Sequence, residues 1–464
     1  MRARLAIASL LCAACLHAED LGGDFRLEGE SLKSSCDSFS FKSLGGCAET
    51  LFTDHPLHIA VGSLPPGNGF GAGLAFVAHW TPNERWRINW DMDGVASSNQ
   101  SWRAGGYMTA VYIPKKKIVV TTGGSGKKSN LRVTEYPVFH LYAQGTSLNK
   151  LSYFGEGPTS LESARSFYGM TQSVVGANVV WPVTWEPLSG LNAGLLAEAN
   201  GRTVDLRSSF GQGSPSIEQI YTPATAPGLL NQPAYAQFGQ GIRLRPNYGD
   251  YVRSNYLANY QEYVSSTSGY SFQRFTADLS QQFLLYSKTR SFLPLDANGP
   301  DDCSADVSDA KHKCPPKITN NLEGSISLRF LLSESFIPNG NIEPFYYQPT
   351  LGGSDINGNP ALSSFQDYRF RSPNLMLFRA SFEHSIYKWP IGVALMVDEG
   401  KVANQHSDID FSNFRHSYSA GLTLRAGGFP MVYLLFSWGG GEGTHTTGSM
   451  NTSLLGGGAR PSLY

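Results

Sequence analysis

The chain has 464 residues, 36 Lys+Arg against 37 Asp+Glu for a net charge of -1, only 16% charged residues, 12% aromatic residues and 50 glycines. With neither a basic stripe nor an acidic tail, nothing in its electrostatics argues for nucleic acid, and no nucleic-acid partner is expected. Sparse charge with many rings and turns suits an outer surface that meets lipid, and length alone leaves the domain count open, because repeated antiparallel architectures hold many residues in one unit.

Arg2 and Arg4 make the start of the chain positive, Leu5 to Leu16 is apolar, and Ala18 precedes Glu19 and Asp20. This predicts a secretory signal peptide over 1–18. Cys15 after Ala13 and Ala14 would suit a lipoprotein site, but Cys12 stands where such a site favours Leu. No later run approaches the ~18 apolar residues of a spanning helix, so export without a helical anchor is expected.

The Ser/Gly-rich segment 19–56 falls short of the ~50 residues that an independent domain requires, and reads as a short periplasmic segment. It carries Cys36 and Cys47; Cys303 and Cys314 form a second local pair. In an oxidising compartment each pair is expected to close a disulfide. The alternative, a metal site of these four Cys, would show Cys-x-x-Cys knuckles, which Cys36, Cys47, Cys303 and Cys314 do not form. No metal or other cofactor is expected.

From Leu57 onward one pattern recurs: about ten residues of alternating apolar and polar character, then a turn. In 85–93, Trp86, Ile88, Trp90 and Met92 share one face while Arg85, Arg87, Asn89, Asp91 and Asp93 share the other. In 271–286, Phe275, Ala277, Leu279, Phe283 and Leu285 oppose Arg274, Thr276, Asp278, Ser280 and Gln282. A soluble sandwich can alternate too, but the same aromatic face on strand after strand would present water with a large apolar patch.

Strands are predicted over 57–64, 69–81, 85–97, 102–113, 132–144, 166–182, 190–206, 234–245, 251–265, 270–286, 320–334, 375–387, 390–399, 414–426, 430–438 and 444–456. The fold expected is all-β: a transmembrane antiparallel β-barrel of about 16 strands over 57–456, with a C-terminal tail over 457–464. With the first strand entered from the periplasm, the long outward connections are 145–165, 207–233 and 335–374, and the long inward ones 114–131 and 287–319. The seam between the first and last strands adjoins Gly-rich stretches at 439–443 and 456–458, which either weaken its closure or serve as turn and tail.

The motif LGGSD from Leu351, then LSSFQDYRFRS from Leu362, VDEGKV from Val397 and YSAGLTLR from Tyr418 resemble, in this order, the bacterial surface-antigen superfamily of outer-membrane barrels. YFGEGPTS from Tyr153, PGLLNQPAYAQFG from Pro227 and YSFQRFTADLSQQF from Tyr270 extend the resemblance over most of the chain after 57. That superfamily includes the barrel-assembly insertase, the translocation-and-assembly factor and the two-partner-secretion transporters. The resemblance implies that 335–374 folds back into the lumen, where an arginine at the loop tip docks on an acidic-x-Gly wall element.

The wall element is present as Asp398, Glu399 and Gly400, but Ser363 and Ser364 stand where the superfamily has Arg-Gly. Arg369 and Arg371 match a later part of the motif and are the candidates to replace the missing lock, since an arginine–carboxylate fork has a geometry that Ser cannot reproduce. The alternative is that both simply belong to the wet lumen face. Arg379, Glu383 and Arg425 are expected to form a lumen network of opposite charges. Gly352, Gly353 and Gly400 serve either turns or close docking.

The resemblance implies an outer-membrane protein of a Gram-negative-type envelope, acting in transport, translocation or membrane assembly with a loop-gated lumen. Its expected partners are membrane lipid and, because 19–56 has no room for the substrate-binding domains of the secretion members, a separate periplasmic protein; the barrel itself is expected to be monomeric. The alternative is a surface-display or structural protein with a closed pore. No enzyme is expected: His384 and Ser385 are neighbours on a strand and point to opposite faces, and no nucleophile elbow, zinc motif or phosphate loop occurs.

Overall fold

A computed structural model describes residues 56–114, 136–183, 188, 190–209, 214–249, 251–292, 318–386, 391–426 and 429–450, with a few isolated positions between 23 and 33. The signal peptide, the four paired cysteines Cys36, Cys47, Cys303 and Cys314, and the tail 457–464 lie outside the described residues, as do most of 19–56 and of the long inward connections.

The strands are β1 (Leu57–Ser63), β2 (Phe70–Asn83), β3 (Trp86–Ser97), β4 (Trp102–Tyr112), β5 (Val138–Tyr153), β6 (Ser166–Pro182), β7 (Ala193–Ser208), β8 (Tyr235–Leu244), β9 (Val252–Ser265), β10 (Phe272–Phe292) and β11 (Ile318–Phe336). After the two-residue strands β12 (Thr350–Leu351) and β13 (Phe370–Arg371) come β14 (Asn374–Ser385), β15 (Ile391–Ala403), β16 (Arg415–Ala426), β17 (Phe429–Trp438) and β18 (His445–Met450). All but β12 and β13 form one 16-stranded sheet in sequence order, each strand antiparallel to the next. The sheet curls until β1 and β18 lie close to one another, although their ladders run to β2 and β17. No described helix is long and apolar enough to cross a membrane.

Alternation decides the two faces. Along β16, Ser417, Ser419 and Thr423 point into the buried interior while Tyr418, Leu422 and Leu424 are exposed. The same outward exposure recurs at Leu74 on β2, Leu195 on β7, Phe238 on β8, Phe283 on β10, Leu328 on β11, Leu395 on β15 and Leu434 on β17. In water this belt would be a continuous apolar surface, whereas hydrocarbon matches it.

The predicted strand positions agree with the observed ones within a few residues, except at β5 and at the end of β10, which runs to Phe292 and not 286; the expected end of the last strand, 456, lies outside the described residues. Strand β5 was expected over 132–144 but continues to Tyr153, which shortens the following connection to 154–165. Thr146, Ser147 and Ser152 are polar but buried: Thr146 lies on the inward face with Gln144, whereas Ser147 and Ser152, on the other face, accept hydrogen bonds from Arg207 and Arg165, so a polar side chain here is no sign of a strand's end. The Gly-rich stretch 439–443 belongs to the β17–β18 connection and to no strand.

The main core lies inside the curl of the sheet. Tyr153, Tyr168, Tyr235, Tyr263 and Phe272 on the wall pack against Phe345, Tyr346 and Tyr347 of the β11–β14 connection. Phe272 stacks on Tyr263 with ring centroids 4.4 Å apart, and Tyr347 meets Tyr235 edge-on at 5.1 Å. These rings occupy a space that the wall strands leave unfilled.

Leu422, 51% exposed and midway along β16, tests which solvent the outer face meets. Replacing it by Arg is expected to cost about 2–4 kcal/mol when the barrel is unfolded reversibly from a bilayer. A cost near zero would place this face in water.

Candidate functional site

The β11–β14 connection, 337–373, is a folded insert. Phe345–Tyr347 make a buried 3-10 turn, and β12 pairs with β13 through Thr350 opposite Arg371 and Leu351 opposite Phe370. Past β12, Gly352 and Gly353 adopt φ of +105° and +60°, left-handed values that admit Gly readily. A Cβ on Gly352 would come 2.5 Å from that of Arg369, and one on Gly353 would come 2.7 Å from the backbone of Asp367. The N–H groups of Gly352 and Gly353 donate to the carbonyls of Ala361 and Leu362 at 3.1 and 3.2 Å, closing the insert on itself. The two glycines therefore serve its internal turn.

Gly400 has the other role. It lies on β15 facing the insert, and a Cβ there would stand 2.9 Å from Leu351 and 3.2 Å from Leu362. Leu351, Leu362, Phe365 and Phe370 pack on this wall with Leu375, Leu377 and Val402.

The tip is held by charge. Asp398, 1% exposed, accepts a fork from Arg379 on β14, Nε at 2.7 Å and Nη2 at 3.0 Å. The same carboxylate accepts the N–H of Leu362 at 2.9 Å, and Arg379 also donates to the carbonyl of Pro360. Ser364 adds a backbone donation to Ser417 Oγ at 2.9 Å. Arg379 and Asp398 stand directly opposite in the β14–β15 register. Beside them Arg329 on β11 makes its own fork to Asp278 on β10, at 2.9 and 2.8 Å. A four-strand row of paired charges thus lies along the wall beneath the tip.

A second anchor holds the base of the insert. Arg274 on β10 pairs with Glu343 and donates to the carbonyl of Tyr347 at 2.7 Å and to Ser335 Oγ at 3.2 Å. Both charges are buried, the Glu343 side chain completely. Burial pushes the Glu343 carboxyl above the usual glutamate range, with Arg274 acting in the opposite direction. Glu156, raised in the same way by burial, accepts from Gln348 at 2.7 Å.

The two arginines proposed as replacement locks go elsewhere. Arg369 forks onto Glu442 in the β17–β18 connection, 2.9 Å from each oxygen, and donates to Ser160 Oγ at 2.9 Å and to its carbonyl at 2.8 Å. Arg371 donates to the carbonyl of Phe345 and lies against the rings of Tyr153 and Phe345. Glu399 is on the opposite face of β15 from Asp398 and Gly400. Glu383 accepts from Tyr433 OH at 3.3 Å, away from Arg379; Arg425 lies on β16 with its side chain outside the described residues. His384 contacts Tyr286 OH and Ser385 donates to the carbonyl of Glu323, so these two neighbours face different partners. Among the described residues no cluster of three or more His, Cys, Asp or Glu could hold a metal ion.

Sequence reasoning missed Glu343, Glu442 and Arg274 as partners. Only Arg274 carried a signal, its place on the polar face of its strand.

The antiparallel order puts the insert at the same end as the connections after β1, β3, β5, β7, β9, β15 and β17. It bonds to those after β1, β5, β7, β9, β15 and β17. Tyr368 OH donates to Pro66, Arg369 to Ser160, Phe345 N–H to Pro227 and Ile342 N–H to Gly269. Ser372 Oγ donates to Asn404, and Arg369 to Glu442. One cap therefore closes that end.

No protein-family model and no curated protein matches the chain. Among solved structures, BamA from Haemophilus ducreyi lacking POTRA domains 1–3 is similar at 11% identity and a TM-score of 0.46, over 85% of this chain and 69% of that one. CdiB from Escherichia coli is similar at 11% identity and a TM-score of 0.49 over 83% of this chain, and CdiB from Acinetobacter baumannii at 10% and 0.44 over 82%. The chain spans 58% and 55% of those two CdiB chains. At these identities and TM-scores the likenesses decide nothing about function, and the all-β architecture rests on the strand order described above.

Replacing Asp398 by Ala leaves Arg379 in the wall without its carboxylate, and is expected to cost about 3–5 kcal/mol. Hydrogen exchange at Leu362 should accelerate while the amides of β6 and β7 stay protected; unchanged exchange at Leu362 would show that the carboxylate does not hold the tip. Glu343 carries a pH dependence. Its native carboxyl binds a proton more tightly than the unfolded one, so stability should fall as pH rises from the ordinary glutamate value through the raised native value, then level off. Melting curves of Glu343→Gln should lack that slope.

Proposed function

We propose that the chain is an outer-membrane barrel of the surface-antigen superfamily, acting in transport, translocation or membrane assembly with a periplasmic partner protein, and that the insert 337–373 gates its lumen. The observation that carries this reading is the way the insert is held. At its tip and base, hydrogen bonds and ion pairs fix it to the wall through Arg379, Asp398, Arg274 and Glu343. Such contacts can be exchanged for contacts with water or with a passing substrate, whereas a purely apolar plug would lose its burial on moving. We assign no reaction to the barrel.

A second reading, display on the cell surface with a shut pore, is favoured by large apolar side chains on the capped end. Leu161 is 66%, Leu230 79% and Phe411 80% exposed, each on a connection beyond the strand ends.

Planar-bilayer recording separates the two. Under the gated reading the full chain is mostly closed, and a variant lacking 351–371 shows steady conductance. Silence from both proteins, with the variant folded by heat-modifiability and circular dichroism, would remove the channel and leave display.

A further inference from the structure

A cavity of about 490 Å³ lies at the capped end between the insert and the wall strands β15 and β16, within the ~300–1,000 Å³ of small-molecule sites. Its floor is apolar and buried: Leu351 and Phe370, the facing pair of the β12–β13 ladder, with Val402 of β15. Gly400 also lines it, where a side chain would intrude. Its rim is exposed and polar, with Thr159 from the β5–β6 connection, Asn413 from the β15–β16 connection and Arg415 at the start of β16.

The charge on this lining has one sign. Lys401 and Arg415 contribute to it, and no carboxylate does. Lys401 is neutralised by Asp410 at 2.5 Å. Arg415 has no carboxylate partner among the described residues; its guanidinium stands 5.3 Å from the centre of the Phe370 ring and makes only a 3.4 Å contact to the carbonyl of Pro158. An uncompensated cation thus stands over an apolar, partly aromatic floor.

We propose that this cavity binds a small water-borne anion with an apolar or aromatic body, its phosphate or carboxylate on Arg415 and its body on Leu351, Phe370 and Val402. The rim lies on connections rather than on the outward apolar belt, so the ligand arrives from water and not from the bilayer. Because the floor belongs partly to the insert and partly to β15, an occupant fastens the insert to the wall. The site does not depend on whether the lumen conducts.

Phenyl phosphate is a suitable probe, titrated calorimetrically into the full-length barrel in nanodiscs, with benzyl alcohol and inorganic phosphate as the two halves of the ligand. Saturable one-to-one binding is expected, with each half weaker by about tenfold or more, and with slower hydrogen exchange over 350–371 in the complex. Arg415→Gln should weaken binding about tenfold or more, and Thr159→Trp, which keeps the cation but crowds the rim, should do the same. The proposal is overturned if wild-type protein shows no saturable binding, if Arg415→Gln binds as wild type does, or if Thr159→Trp leaves affinity unchanged, since a surface cation alone would then explain the result.

Discussion

A carboxylate removed from water must find its full set of partners inside the protein, and Asp398 meets that constraint by joining three segments. One fork takes Arg379 from the adjacent strand, and the remaining acceptor capacity takes the N–H of Leu362 at the tip of the insert. Arg379 in turn supplies the donor for Pro360. Each of the two wall charges makes one of its bonds to the insert, and among the described residues they are the ionic partners of the tip backbone. The position of the insert in the lumen follows from this mutual need.

The same logic accounts for the missing arginine at the tip. With Ser363 and Ser364 where a long cation was expected, the positive charge comes from the wall, and the insert contributes backbone groups. Ser363 and Ser364 are both buried, and the tip backbone bonds directly to Asp398 on β15 and Ser417 on β16. At the base the positive charge again comes from the wall, as Arg274, but there the insert brings the carboxylate, Glu343.

A sheet of this many strands encloses more space than its own inward side chains fill. Here two kinds of matter fill it at the capped end. Around Phe345, Tyr346 and Tyr347 the filling is aromatic and excludes water by area; around Pro360 to Ser364 the apolar side chains of Ala361 and Leu362 are buried too, but the backbone is held by directed hydrogen bonds. The first makes the insert stable in the lumen and the second makes its position specific. The cavity beside Leu351, Phe370 and Gly400 lies where the wall and the insert meet.

The strands were legible because their cause is local: a period of two, repeated over about ten residues, puts an apolar face outward and a polar face inward whatever the neighbouring strand does. The insert was legible for a similar reason, as a long Gly-rich stretch that runs into an alternating strand. The end of β5 was not legible, because Thr146, Ser147 and Ser152 are polar yet buried within the strand, Thr146 on the inward face and the two serines under Arg207 and Arg165. What only the tertiary structure decided is which charge meets which. Arg379 reaches Asp398 through strand register, Arg369 finds Glu442 across 73 residues, and Arg274 finds Glu343 across 69, all distances at which sequence position says nothing about proximity. Alternation determines the face from which a side chain points; the partner it meets depends on register and on the path by which the insert returns.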